Sequence, residues 1–548
     1  MIGILSFVGF TALVAIIAYL ATRNQEQTSD GYFLGGRSLT AGVIAGSLLL
    51  TNLSTEQLVG LNGAAYNEGI LVMVWETLAA LAMVVTATYL LPRYLKGGLT
   101  TIPGFLSKRF DVMTKTITSG LFLTGYVVVL LPVILYSGSV ALSSMFDVPS
   151  MLGVSETASI WIGVWGIGLI GMIYAVFGGL KAVAVSDSIN AIGLLIGGVM
   201  IPVLGLIALG EGSMMAGLDV ISAGPGERLN ALGGPAASVP FATIFTGMML
   251  VQLFYWGTNQ QIIQRALGAK DLAEGQKGLM LAAGVKILGP IILVLPGMIA
   301  WHMFGGDPKI GDQAYPKLVR EILPSPLVGF FAAVLFGAIL SSFNSVLNSS
   351  VTLFGIDIYK QHINKAADEK TVVKNGKRFG LILAVAAMFL APFIANAGSL
   401  FDYLQEVNGI YSIPILTIIV VGYTTKYVPA IAAKIGVVSG SILYIISQFI
   451  VKPGRVDSAL ETAKAAGVTD KAALKLVEAN AYPHFLHMMA ILFVTNIIIM
   501  LIIGKLRPRK TAYELEYTEQ VDITPWKYVK QASVVVCVIV IGIYIYFS

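Results

Sequence analysis

The chain has 548 residues, 56% hydrophobic and only 12% charged, with a formal net charge of +5. Soluble domains carry about twice that charged fraction, so a water-soluble enzyme is excluded and a mean hydropathy of +0.81 indicates a polytopic membrane protein. The single cysteine, Cys537, rules out an internal disulfide or thiolate metal cluster, and the scattered His302, His362, His484 and His487 argue against zinc or haem.

Apolar stretches long enough to cross a bilayer recur at 2–21, 40–65, 70–92, 116–146, 158–177, 186–209, 239–264, 279–301, 325–358, 379–397, 403–425, 428–451, 484–504 and 531–547, which makes fourteen candidate helical spans. The first is followed, not preceded, by basic residues (Arg23, Arg37), so it is no cleavable signal peptide and its N-terminus is placed outside. Later loops alternate. Those assigned inside carry Arg93, Lys96, Lys108, Arg109 and Lys115, then Lys181, Arg265, Lys270 and Lys277, Lys360 to Arg378, Lys426, and Lys505 to Lys530. Those assigned outside hold only Arg228, Lys309, Lys317, Arg320 and the basic residues from Lys452 to Lys475. The positive-inside rule then puts both termini outside, in the cell inner membrane.

Polar groups inside a span are costly and are functional candidates by default. In the second span the run Thr51-Asn52-Leu53-Ser54-Thr55-Glu56-Gln57 has six polar residues in seven. Ser54 and Gln57 have the spacing of a capping box, the signature of a helix start. A helix start there implies a broken helix whose Leu50 and Leu53 carbonyls are left for a small hard cation. The third span holds Glu76. The sixth begins at Asp187, where an aspartate is most often solvated or capping. In the seventh, Gln252, Tyr255 and Asn259 share one helical face, with Gly257 permitting a bend.

The eighth span holds Lys286, too deep to snorkel, with Glu76 a candidate partner. In the long ninth span, which has to tilt or bend, Ser341, Ser342, Asn344 and Ser345 follow Ala338. Such serines more often bond to their own backbone. The eleventh opens with Asp402, Gln405 and Glu406. The polar insertion 452–482 has the composition of a short helix outside the membrane, and reads best as a solvated connector. The breaks in spans two and seven lie five crossings apart, and an odd offset inverts the repeat, as in secondary transporters.

These residues resemble the solute:sodium symporter family, in its sodium–sugar branch. The likeness rests on Asn52-Leu53-Ser54-Thr55-Glu56-Gln57, on Tyr255-Trp256-Gly257-Thr258-Asn259-Gln260 leading into Ile263-Gln264-Arg265, and on Gly178-Gly179-Leu180 before Asp187. It implies an all-α LeuT-type core of two inverted five-helix repeats. The first helix would occupy 1–29, the repeats 30–238 and 239–427, and the last helices, with the outer insertion 452–483, would fill 428–548. It also implies sugar contacts at Gln57, Glu76, Gln252, Lys286 and Gln405, with Tyr255 covering the sugar. Sodium would be held by the carbonyls of Leu50, Leu53 and Ala338 and the hydroxyls of Ser341 and Ser342, and would leave past Asp187. Ala79 and Gln252 depart from the galactose-carrying pattern of serine and asparagine. Asn344 stands where two-sodium relatives place a hydroxyl.

The expected activity is sodium-coupled import of a neutral sugar or polyol by alternating access. A carboxylate solute (an amino acid or sialic acid) is the nearest alternative, but the fourth span has no arginine between Lys115 and its outer end. A membrane-embedded sugar transferase would need an acidic metal motif, and a channel would need a filter motif. The sequence has neither.

Overall fold

The computed structural model describes residues 2–22, 33–307, 310–396 and 400–548, and among them there is no strand, only helices and one isolated bridge between Leu39 and Ala269. Arg23 and Lys309 lie outside the described residues, as do the side chains of Gly178-Gly179-Leu180, Lys181 and Asp402.

Among the described residues ten helices are long and apolar enough to cross a membrane, and a bent pair, Leu272–Ile287 with Gly289–Met303 at 50°, makes an eleventh. The other three expected spans are Ile2–Thr22 and the two interrupted ones, Ala41–Asn52 with Thr55–Glu68 and Gly247–Gly257 with Gln260–Leu267. The helical run Glu156–Leu209 contains two of the ten, Glu156–Ile173 and Ala184–Leu209.

Proline explains much of the irregularity. Pro92, Pro132 and Pro453 each follow a wide π turn, at Thr86–Leu90, Tyr126–Leu130 and Ile446–Val451. A proline ring clashes with the carbonyl four residues back, and an extra residue in the turn relieves the clash. The long ninth span starts as the α-helix Ser325–Thr352 and ends in a π stretch, Leu353–Ile363.

The second span breaks as its polar run requires, with Ser54 as the N-cap of the second half, but the capping box does not form. Ser54 makes no side-chain cap bond, and its hydroxyl donates to Glu56 instead. The amides the box would satisfy go to backbone carbonyls instead, Gln57 N to Ser54 O at 3.1 Å and Ser54 N to Asn52 O at 2.8 Å.

Several basic residues read as loop charges are in fact buried or half-buried and bonded inward. Arg109 lies at 0% exposure. It donates to the carbonyls of Gly422, Thr425 and Val428 at 2.9, 3.0 and 3.0 Å, closing the end of the Leu400–Thr424 helix. Lys115 pairs with the buried Asp357 at 2.8 Å. Arg228 caps Thr55–Glu68 through the carbonyls of Ala65, Tyr66 and Asn67 at 3.0, 2.7 and 3.2 Å. Helix C-termini attract cations in this way.

The polar insertion is two exposed helices, Lys452–Ala465 and Lys471–Ala481, not a loose connector. Lys452 reaches Glu406 at 2.7 Å and Lys475 reaches Glu68 at 3.4 Å.

The second and eighth spans meet without a gap at Gly297. Its amide donates to Asn62 Oδ1 at 2.9 Å, and a Cβ there would lie 2.2 Å from the Asn62 carbonyl oxygen. Gly297→Ala therefore forces the two backbones apart and costs about 1–3 kcal/mol, read as a lowered Tm of the detergent-solubilised protein. Gly120→Ala, where a Cβ meets nothing within 4 Å, is the neutral comparison.

Candidate solute and sodium sites

Two interrupted helices lie at the centre of the molecule. In an unbroken second span the Ser54 amide would donate to Leu50 and the Gln57 amide to Leu53. Here Ser54 N donates to Asn52 O at 2.8 Å, and Gln57 N donates to Ser54 O at 3.1 Å. The Leu50 and Leu53 carbonyls thus lose their intrahelical donors. Across from them runs the ninth span, where Ala338, Ser341, Ser342 and Ser345 share one helical face. Ser342 Oγ donates to Thr51 O at 2.9 Å, and Ser345 Oγ lies 3.3 Å from Thr51 Oγ1. Ser341 Oγ is buried without a hydrogen-bond partner and faces Asp187. Freed carbonyls beside hydroxyls make an all-oxygen, uncharged donor set, which fits a small hard monovalent cation.

All six residues expected to hold the solute line one cavity: Gln57, Glu76, Gln252, Tyr255, Lys286 and Gln405, joined by Asn52, Trp75, Val251 and Trp256. Its volume is about 30 Å³, room for water rather than for a sugar ring, so the site is drawn closed around its own side chains. Lys286 Nζ donates to Glu76 Oε2 at 2.5 Å with both residues buried, the pairing anticipated from sequence. The Lys286 ammonium also stands 5.6 Å from the centre of the Trp256 ring. Gln252 donates to the Trp75 carbonyl at 2.8 Å and accepts from Trp256 Nε1 at 3.2 Å. Gln57 Oε1 and Asn52 Oδ1 are buried acceptors without donors. Asn52 Nδ2 donates to the Tyr255 hydroxyl at 3.2 Å.

Asp187 is fully buried, not a solvated residue at an interface. It accepts from Ser47 Oγ at 2.7 Å, and Arg265 lies 4.0 Å away. Arg265 donates to Ser47 Oγ at 3.0 Å and also to the Gln261 carbonyl and the Ser345 hydroxyl. Ser345 Oγ in turn donates to Ser341 O at 2.6 Å. The arginine read as a loop charge is therefore the hub joining the sixth, seventh and ninth spans at the candidate sodium site. A signal for it existed, since Gln261 and Arg265 sit four residues apart beside other polar residues. Trp75 and Trp256, which wall the cavity, were also passed over, because a tryptophan in an apolar segment reads as packing.

Asn259 stands at the break of the seventh span, between Gly247–Gly257 and Gln260–Leu267. It caps the helix Gln260–Leu267 through the Gln261 amide and accepts from the Tyr126 hydroxyl at 2.7 Å. It does not line the cavity that holds Gln252 and Tyr255.

Comparison with known proteins gives this geometry a context. The family model for the sodium:solute symporter family matches residues 32–443. The chain is 47% identical to the symporter YidK of Escherichia coli over 99% of this chain and 90% of that protein. It is 31% identical to the sodium/glucose cotransporter of Vibrio parahaemolyticus over 82% of this chain and 85% of that one. In fold it is similar to a Na+-coupled sialic acid symporter, with a TM-score of 0.70 at 17% identity over 94% of this chain and 99% of the other. The architecture is the LeuT-type fold. The chain is a multi-pass membrane transporter, not an enzyme, and it belongs to the sodium:solute symporter family.

Proposed function

We propose that the protein imports a neutral sugar or polyol, driven by sodium, through alternating access of a site between two inverted repeats, 30–238 and 239–427, with both termini outside. The observation that carries the solute class is the closed Glu76–Lys286 pair at 2.5 Å. Lys286 is the one cation lining the cavity and it is already neutralised, so a carboxylate solute finds no free positive partner there. A polyol is suited by what remains. Gln57 and Asn52 offer unfilled acceptor oxygens, and the amide and carboxylate groups around them can accept from or donate to several hydroxyls. The relationship to a sodium/glucose cotransporter supports the same reading.

Sodium would be carried by the carbonyls of Leu50, Leu53 and Ala338 and the hydroxyls of Ser341 and Ser342, with Asp187 the first acceptor on its way out. One bond links ion to solute. Asn52 ends the first half of the broken helix that carries the proposed sodium ligands, and it also holds the Tyr255 hydroxyl at 3.2 Å. Loss of the ion would relax that break, free Tyr255 and unlatch the solute cavity on the cytoplasmic side.

Uptake of labelled glucose, galactose and myo-inositol into proteoliposomes tests the assignment directly. Sodium-driven uptake of at least one is expected. Gln57→Ala should raise the half-saturating solute concentration by roughly tenfold, about one lost hydrogen bond to a buried group. Ser342→Ala should instead raise the sodium requirement by roughly tenfold. Uptake that ignores the sodium gradient, or that occurs only for carboxylate solutes, would remove the polyol reading.

The ion pair supplies a second test. Lys286→Met leaves Glu76 as an unpaired buried charge and should cost about 3–5 kcal/mol of stability. Combining it with Glu76→Leu should return most of that stability while uptake stays absent. A double variant that still transports would show the pair to be structural only.

A further inference from the structure

A second cavity adjoins the solute cavity and shares Gln57, Tyr255 and Gln405 with it as walls. Its own polar lining is Glu56, Asn259, Asn408, Tyr411 and Ser412, around about 30 Å³. Glu56 is the feature the proposed mechanism does not use. Its exposure is 5%, Ser54 donates a hydroxyl to it, and among the described residues no cation forms an ion pair with it. Lys286 and Arg265, the buried cations of the two candidate sites, are held by Glu76 and by the Asp187 network.

A carboxylate in this position sits in the first turn of Thr55–Glu68, whose N-terminal dipole favours the ionised form without neutralising it. The rest of the lining is acceptor-rich. Asn259 Oδ1 and Asn408 Oδ1 accept from the Tyr126 and Tyr411 hydroxyls, and Ser412 Oγ is buried without a partner. The rings of Tyr255 and Tyr411 stand on the same cavity, and Phe122 and Phe254 hold Tyr411 from behind at 6.2 and 5.8 Å between ring centres. An unpaired carboxylate beside aromatic rings is the chemistry that recognises an ammonium group.

We propose that this second cavity is an ammonium subsite, taking the amine of a solute whose hydroxyls lie against Gln57 and the Glu76–Lys286 pair. This rests on the polyol reading and sharpens it, from neutral polyols to amino polyols. Because the two cavities share walls, one extended solute reaches both once the site widens to admit it.

The test is competition in sodium-energised proteoliposomes at neutral pH, with labelled glucose or myo-inositol as the reporter. Glucosamine is set against glucose, and 1-amino-1-deoxysorbitol against sorbitol. For the native protein each amine should inhibit at roughly one-tenth the concentration of its neutral parent. In Glu56→Gln that ratio should fall to about one, and in Glu56→Asp, which keeps the charge but withdraws it, to an intermediate value. Equal potency of amine and parent in the native protein overturns the subsite while leaving the polyol reading intact. Equal potency together with a pH-dependent uptake that Glu56→Gln flattens would assign the carboxylate to a proton. If no polyol is taken up and none competes, the polyol reading and the subsite fall together.

Discussion

A backbone carbonyl in the middle of a membrane has no water to turn to, and the break after Asn52 leaves two of them, on Leu50 and Leu53, without their helical donors. Much of the site's architecture is an answer to that constraint. The Ser54 and Gln57 amides are rerouted to nearer carbonyls, the ninth span brings the Ser342 hydroxyl to Thr51 O, and the side chain of Asn52 turns to Tyr255. A cation at the freed carbonyls completes the set. The proposed sodium site would thus answer a helix-termination problem, with carbonyls and hydroxyls in place of an acidic ligand.

Charge obeys the same economy. The described buried charges near the sites occur in neutralising combinations: Glu76 with Lys286, Asp187 with Arg265 through Ser47, Asp357 with Lys115. A pair that is complete in the closed state can be opened by a solute that substitutes for one partner's hydrogen bonds, so the cost of desolvation is shared between protein and cargo. Glu56 departs from the pattern. The Ser54 hydroxyl donates to it but no cation among the described residues pairs with it, and an exception among otherwise paired buried charges marks a place where the protein relies on something it does not itself supply.

Much of this was legible in the sequence, for a physical reason. In an apolar span every polar residue is conspicuous, so Gln57, Glu76, Gln252, Lys286 and Gln405 stood out one by one, and the structure collects them around one cavity. The Thr51–Gln57 run was dense enough to betray a break, and the ten or eleven helices that pass by length and hydropathy among the described residues all fall on expected spans. What was hidden depends on which way a side chain faces. Arg265 and Arg109 lie near span ends, where sequence cannot tell a solvated charge from one that reaches inward to carbonyls. Asp187 was misread for the same reason. The capping box at Ser54 failed because the two amides it would satisfy, those of Ser54 and Gln57, go to the backbone carbonyls of Asn52 and Ser54 while the hydroxyl turns to Glu56, and spacing alone does not show that.

Coupling between sodium and solute has a minimum strength, and that minimum says where to look for it. Moving a two-state equilibrium from mostly closed to mostly open takes about 5.5 kcal/mol of differential binding, whereas one buried hydrogen bond contributes about 0.5–1.5 kcal/mol. The Asn52–Tyr255 bond therefore cannot carry the coupling alone. The seventh and ninth spans are also stitched by Arg265 to Ser345 and by Gln264, which accepts from Ser349 Oγ at 2.8 Å and donates to Thr352 Oγ1 at 3.0 Å. The second and ninth are joined by Ser342 to Thr51 O at 2.9 Å. These bonds share a helix face with Ser341 and Ser342, so an ion that draws that face toward Leu50 and Leu53 tightens them as a group. On the proposed mechanism, several modest bonds changing together would supply the energy that no single contact has, with the ninth span as the element through which the ion is felt at the solute.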